Sequence, residues 1–151
     1  MLFKYRVPGV AGDNTADYWA NAIWAEHNRE RRALGIPPLT RSPLLDQVAA
    51  IRDDDLVNEG YFSHNDPNNN PGNYQSVAVQ QGLAVWGWLG ENLAMNNYKN
   101  PLAEAWRGLM ASPTHRDNIL TRDFTHLGVA ARIRPDGLYV FVLIYASSDQ
   151  L

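Results

Sequence analysis

Four histidines are the residues best equipped to do chemistry in this chain, because cysteine is absent and rules out thiolate nucleophiles, cysteine metal sites and disulfides. His27 falls with Trp19 and Ile23 on one row of a helical pattern and reads as a core or groove histidine. His126 precedes a hairpin and reads as a strand-start residue. His64 and His115 lie in short polar stretches, Phe62-Ser63-His64-Asn65-Asp66-Pro67 and Ser112-Pro113-Thr114-His115-Arg116-Asp117-Asn118, which read as turns at the ends of elements, where functional groups tend to be placed. A third marked piece, Gly90-Glu91-Asn92-Leu93-Ala94, adds a carboxylate. Imidazole nitrogen and carboxylate oxygen together can ligate a divalent ion such as zinc. No pair has the i, i+4 spacing of a helical zinc motif, so the fold must assemble the set His64, Glu91 and His115.

Other chemistries find less support. No Gly-x-Ser-x-Gly turn, phosphate loop or dinucleotide fingerprint is present. A glycosidase needs two carboxylates flanking a sugar; Glu91 with Asp66 or Glu104 would serve, with nothing to choose between them. Asp66, Asn68 and Asn70 alternate as in a calcium loop, but Pro71 stands where that loop needs glycine and Val77 where it needs glutamate. Trp86, Trp88 and Tyr74 could form a stacking surface for a ligand, although core packing is the preferred reading. Asp53-Asp54-Asp55 reads as a solvated helix face.

The elements that must position these residues follow from hydrophobic period and punctuation. A helix is expected from Asn14 or Thr15 to about Leu34, ended by Gly35 and Pro37-Pro38. Ser42-Pro43 opens a second, ended by Gly60. A short helix over Gln75 to Leu83, a short strand over Glu91 to Met95 and a helix from Pro101 to before Ser112 come next. Leu127 to Ile133 alternates, Pro135-Asp136-Gly137 turns, and Leu138 to Tyr145 is apolar on both sides. A strand apolar on both faces is covered on both faces. The expected class is therefore α+β, a three-layer α-β-α sandwich with a central antiparallel sheet. The expected domain runs over 15–147, with an arm at 1–14 and a tail at 148–151. At 151 residues the chain suits one domain.

Net charge is −3, which gives no broad attraction to nucleic acid or anionic lipid. No apolar run is long enough to span a membrane, and no signal peptide is visible in the first twelve residues. Stability must come from packing, for which five Trp, seven Tyr and four Phe are available.

In order along the chain, His27-Asn28-x-x-Arg31, Gly35-Ile36-Pro37-Pro38-Leu39, Phe62-Ser63-His64, Gly90-Glu91-Asn92-Leu93-Ala94, Trp106, Ser112-Pro113-x-His115-Arg116-x-Asn118-Ile119-Leu120, Phe124 and Leu127-Gly128-Val129 form a series. It resembles the CAP superfamily (cysteine-rich secretory, antigen 5 and pathogenesis-related proteins; SCP-like), in its bacterial branch. The resemblance implies an α-β-α sandwich and a central cavity where two histidines and two glutamates can bind zinc or another divalent ion. His64, Glu91 and His115 match three of the four; the fourth position is Leu109, and nearby Glu104 lies on a different helical face. The resemblance further implies secretion, an extracellular or cell-envelope location, and a small-ligand or protein partner. The expectation is a non-enzymatic module whose cation sits at His64 and His115, with Asn92, Asp66, Trp88 and Ser112 around the cleft. The alternative is a metal-dependent peptidase or cell-wall hydrolase using Glu91 as general base.

Overall fold

A computed structural model describes residues 15–83 and 87–148. The expected arm at 1–14, the helix cap at Asn14 and Trp86 lie outside the described residues. Helix α1 spans Thr15–Ala33, followed by β1 (Thr40–Arg41), α2 (Pro43–Glu59), α3 (Tyr74–Gln80), β2 (Leu89–Asn96), α4 (Pro101–Ala111), α5 (Pro113–Leu120), β3 (His126–Ile133) and β4 (Tyr139–Ala146).

The boundaries have local causes. The Ser42 hydroxyl accepts from the Leu45 N–H and caps α2, whose first residue is Pro43. Gly60 ends that helix in the left-handed conformation (φ 72°), donating its N–H to the Leu56 carbonyl. Asn73 and Asn100 cap α3 and α4 in the same way as Ser42. One expectation fails here: His115 lies within α5, not in a turn. Pro113 starts a new helix directly after Ser112 because proline suits the first helical position.

The sheet order is β1-β3-β4-β2. β3, β4 and β2 are antiparallel, as expected, and the two-residue β1 adds a parallel strand beside β3, making the sheet mixed. A two-residue strand carries no periodicity, so hydrophobic pattern could not reveal it.

β4 explains the three layers. Val140, Val142 and Ile144 pack against Leu45, Val48, Leu56 and Val57 of α2 and Val77 of α3. Phe141, Leu143 and Tyr145 pack against Ala20 and Ile23 of α1, Ala105 and Leu109 of α4, and Ile119 of α5. Alternation puts successive side chains on opposite faces, so one strand supplies both cores. α2 lies very close to β3: a Cβ at Gly128 would overlap the Leu45 carbonyl, and Val129 donates its N–H to Asp46 on the same helix at 2.9 Å.

The three consecutive aspartates are not a solvated face. Asp53 is fully buried and Asp55 nearly so, while Asp54 pairs with Arg132 at 2.9 Å. Asp53 faces the packed interior, and neither of its carboxylate oxygens has a hydrogen-bond partner. Burial raises its pKa well above the ordinary carboxylate value. Asp55 accepts from the Tyr61 hydroxyl at 2.5 Å.

Candidate functional site

The site forms around β2, the outer strand of the sheet on the side away from β1. Alternation along β2 sends Glu91 and Leu93 toward the α2 layer and Asn92 and Ala94 toward the α4–α5 layer. The two candidate histidines belong to these two layers.

On the α2 side, Glu91 is held by Arg52. The guanidinium donates from Nε to Glu91 Oε2 at 2.8 Å and from Nη2 to Oε1 at 2.9 Å, with both side chains fully buried. Arg52 also donates to the Tyr61 hydroxyl (2.8 Å) and the Ser63 carbonyl (2.9 Å). Desolvation opposes the guanidinium charge, but the hydrogen bonds and charge of Glu91, with the Tyr61 hydroxyl as a further acceptor, outweigh it, and the Arg52 pKa is raised. His64 Nδ1 lies 2.8 Å from Glu91 Oε1. A carboxylate can only accept, so Nδ1 carries a proton, and in the neutral ring Nε2 keeps its lone pair. The imidazole is about half exposed and packs edge-on to Tyr74, with ring centroids 6.5 Å apart.

On the other side, His115 Nδ1 is 2.8 Å from Ser112 Oγ. Burial, and then the nearby His64 ring, lower the His115 pKa. Behind them runs a buried chain of hydrogen bonds. Asn118 Nδ2 donates to Asn92 Oδ1 (2.8 Å), and Asn92 Nδ2 donates to the His115 carbonyl (2.9 Å) and the Tyr145 hydroxyl (3.1 Å). Tyr145 lies 2.8 Å from His27 Nε2, and His27 Nδ1 lies 2.7 Å from the Ile23 carbonyl. Since Nδ1 faces a carbonyl it is the protonated nitrogen, and Tyr145 donates to Nε2. Burial drives the His27 pKa down to about 4, keeping the ring neutral, so it is the core histidine its position suggested. Arg31 anchors α5 from the same helix, donating to the carbonyls of Pro37, Ile119, Thr121 and Phe124.

Two grooves open along β2. One, of about 380 Å³, is lined by His64, Asn65, Tyr74, Gln75, Glu91 and Asn118 among others. The other, of about 330 Å³, is bounded by Phe62, Leu93–Asn96, Tyr98, Ser112 and His115. The remaining expected residues fall in different places. Ser112 lines the second groove, but Asn92 is fully buried and supports α5 from behind. Asp66 accepts from the N–H groups of Asn68 and Gly72, bracing its own loop. Trp88 is 62% exposed, against the core-packing expectation, and lies outside both grooves. Leu109, at the fourth cavity position, is buried beside His115, and Glu104 lines the same groove despite its separation from Leu109 around the helix, its carboxylate paired with Arg107.

Among the described residues no three His, Asp or Glu side chains form a metal-binding group. The donors that fit a divalent cation are the Nε2 atoms of His64 and His115, each ring held through Nδ1 by a protein oxygen, the usual way a ligating imidazole is oriented. Glu91 is occupied in holding its neighbours: its buried carboxylate accepts from Arg52 on both oxygens and from His64 on Oε1. Arg52 was missed at the level of sequence, although it shares an i, i+4 row with Val48 and Leu56. An arginine within an apolar row needs a buried acid, and that pairing was the available signal.

Residues 24–145 match the CAP, or cysteine-rich secretory protein, family, and the chain belongs to it. It is 34% identical over 104 residues to the uncharacterized protein YkwD of Bacillus subtilis (strain 168), covering 68% of this chain and 38% of that protein. An extracellular protein containing a SCP domain from Bacillus anthracis shares the fold with a TM-score of 0.70 and 26% identity over 85% of this chain and 41% of its own. The chain thus spans about two fifths of the length of these bacterial relatives. Manganese-bound Ac-ASP-7 has the same fold with a TM-score of 0.60 and 15% identity, over 95% of this chain and 76% of that one. No described helix is long and apolar enough to cross a membrane.

Proposed function

We propose that this CAP domain is a non-enzymatic binding module that takes a divalent cation at the edge of β2, between the groove lined by His64 and the groove lined by His115, together with a ligand or partner. His64 and His115 would hold the cation through Nε2, and Glu91 and Ser112 would orient the rings. The carrying observation is that each imidazole has Nδ1 engaged by a protein oxygen while Nε2 is available. For His115 this requires Nδ1–H to donate to the Ser112 hydroxyl. The bound cation would supply an electrophilic point for an oxygen or nitrogen of the ligand. Two protein donors rather than three imply weak, exchangeable binding. The manganese-bound Ac-ASP-7 is consistent with a divalent ion on this fold. An extracellular or cell-envelope setting suits the extracellular relative from Bacillus anthracis.

Calorimetric titration of untagged protein with zinc and manganese tests this reading. The expected result is one site, lost in His64→Ala and in His115→Ala and retained in Glu104→Gln. Equal binding by the wild type and both histidine variants would end the cation assignment.

A further inference from the structure

We infer that the outer edge of β2 is a docking edge for an extended peptide, which would join the sheet as an additional strand along Leu93–Asn96. This rests on the reading of the cleft as a binding surface, but not on the cation.

The ladder fixes which backbone groups face outward. Ser147 N–H donates to the Trp88 carbonyl at 3.0 Å, and Trp88 and Ser147 continue the β2–β4 register. Antiparallel partners alternate between hydrogen-bonded and non-hydrogen-bonded pairs. The even-numbered residues of β2 therefore bond to β4, and Leu89, Glu91, Leu93 and Met95 turn N–H and C=O to the outside. β3 gives the same phase independently: Arg134 N–H bonds to the Leu138 carbonyl, which assigns the even residues of β4 to β3 and leaves its odd ones for β2. The Asn118 side chain approaches the Glu91 carbonyl from outside at 3.5 Å, as this phase requires. Among the described residues, none hydrogen-bonds to the outward groups of Leu93 and Met95.

The groove runs along this stretch of the strand, where Leu93 is buried and Ala94, Met95 and Asn96 are partly exposed. Leu93, Ala94, Met95 and Asn96 all line it. Consecutive strand residues cannot all present side chains to one face, so a cavity touching four in a row runs along the strand's open side. Phe62, 42% exposed, and Tyr98, 59% exposed, stand over it. Large exposed aromatics beside unpaired ladder groups fit an extended backbone with apolar side chains, the chemistry of strand addition. A compact small molecule would not supply donors and acceptors at the two-residue repeat set by Leu93 and Met95. The added strand would run past His115, and its affinity would come from main-chain hydrogen bonds.

The test uses random dodecapeptides displayed on phage, selected on the full chain in the presence of chelator, with the winners synthesised. The Leu93 and Met95 amides should exchange quickly with solvent in the free protein and become protected on peptide binding, while the Ala94 amide is protected throughout. Met95→Pro removes an outward N–H without touching the bonds to β4, and should weaken binding about tenfold, the worth of one good hydrogen bond. Met95→Ala keeps the N–H and should stay within about threefold. Should Met95→Pro fail to fold, N-methylation along the peptide decides: alternate positions should abolish binding and the intervening ones should not. No binder from the library, peptides that leave the Leu93 and Met95 amides unprotected, or an N-methyl scan without alternation would overturn the proposal. Burial of the edge by a second copy of the chain, seen as a dimer in sedimentation, would overturn it too. Zinc titrations of the same variants separate the two readings. Met95→Pro should keep zinc binding, and His64→Ala should lose it while still binding peptide. Loss of the cation site alone therefore leaves the docking edge standing.

Discussion

His27 and His64 are the same residue type in two opposite circumstances. His27 is fully buried, with both nitrogens bonded, one to a carbonyl and the other to Tyr145. His64 is half exposed, with one nitrogen fixed by a buried carboxylate and the other left over. The first ring is a fastener between α1 and the sheet; the second is an outlet. The difference lies in what stands behind each ring: a neutral hydroxyl for His27 and an ion pair for His64. The fully buried ion pair of Arg52 with Glu91 thus lies directly behind a half-exposed imidazole.

That contrast can be broken at its base first. Arg52→Ala should destabilise the fold by about 3–5 kcal/mol, because it leaves the Glu91 charge buried and unpaired. Replacing both partners, Arg52→Met with Glu91→Leu, should cost much less in urea unfolding, since no buried charge remains. The same double variant should lose cation binding if His64 depends on Glu91 for its orientation.

The next largest effect is on pH dependence. The folded His27 pKa, about 4, is below the unfolded value of 6.5. The unfolded chain therefore takes up a proton in this interval that the native state refuses. The stability contributed by His27 is complete above pH 6.5 and falls as pH drops towards 4, by about 3 kcal/mol in all. Urea midpoints measured across this range should show the loss, and His27→Gln should flatten it. His64→Ala should change stability by less than about 0.5 kcal/mol while abolishing the proposed cation binding, the smallest effect on folding paired with the largest on binding.

Asp53 sharpens the comparison from a third side. It is as buried as Glu91 and adjacent to Arg52 in the chain, yet neither of its oxygens accepts a hydrogen bond. Its pKa is raised, so the native state keeps a proton that the unfolded chain has already released above the ordinary carboxylate value near 3.8. Stability is therefore lost as pH rises from there through the folded pKa. Asp53→Asn should raise stability at neutral pH by about 1 kcal/mol and remove that loss, as thermal melts at two pH values would show.

Which parts could be read beforehand follows from the range of each signal. The β3–β4 hairpin and its two covered faces were legible because side-chain alternation is local and both strands carry it in full. α2 was legible from its caps, Ser42-Pro43 and Gly60. His64 with Glu91 came through the resemblance, since 27 positions separate them and no spacing joins them. The burial of Asp53 and Asp55 was not legible, because a charge run normally faces water and only the closeness of α2 to the sheet overrides this. The helical setting of His115 was obscured by Ser112-Pro113, which serves equally as a stop and a start.

The hydrogen atom that serves as side chain at position 128 has a reach beyond its neighbours. Because nothing separates that strand from the Leu45 carbonyl, the height of the whole second helix above the sheet is set there, and the guanidinium two turns along is levelled with its carboxylate as a result. An added methyl would act as a shim under one end of a rod, and misalignment would reach an imidazole on the molecular surface that it never touches.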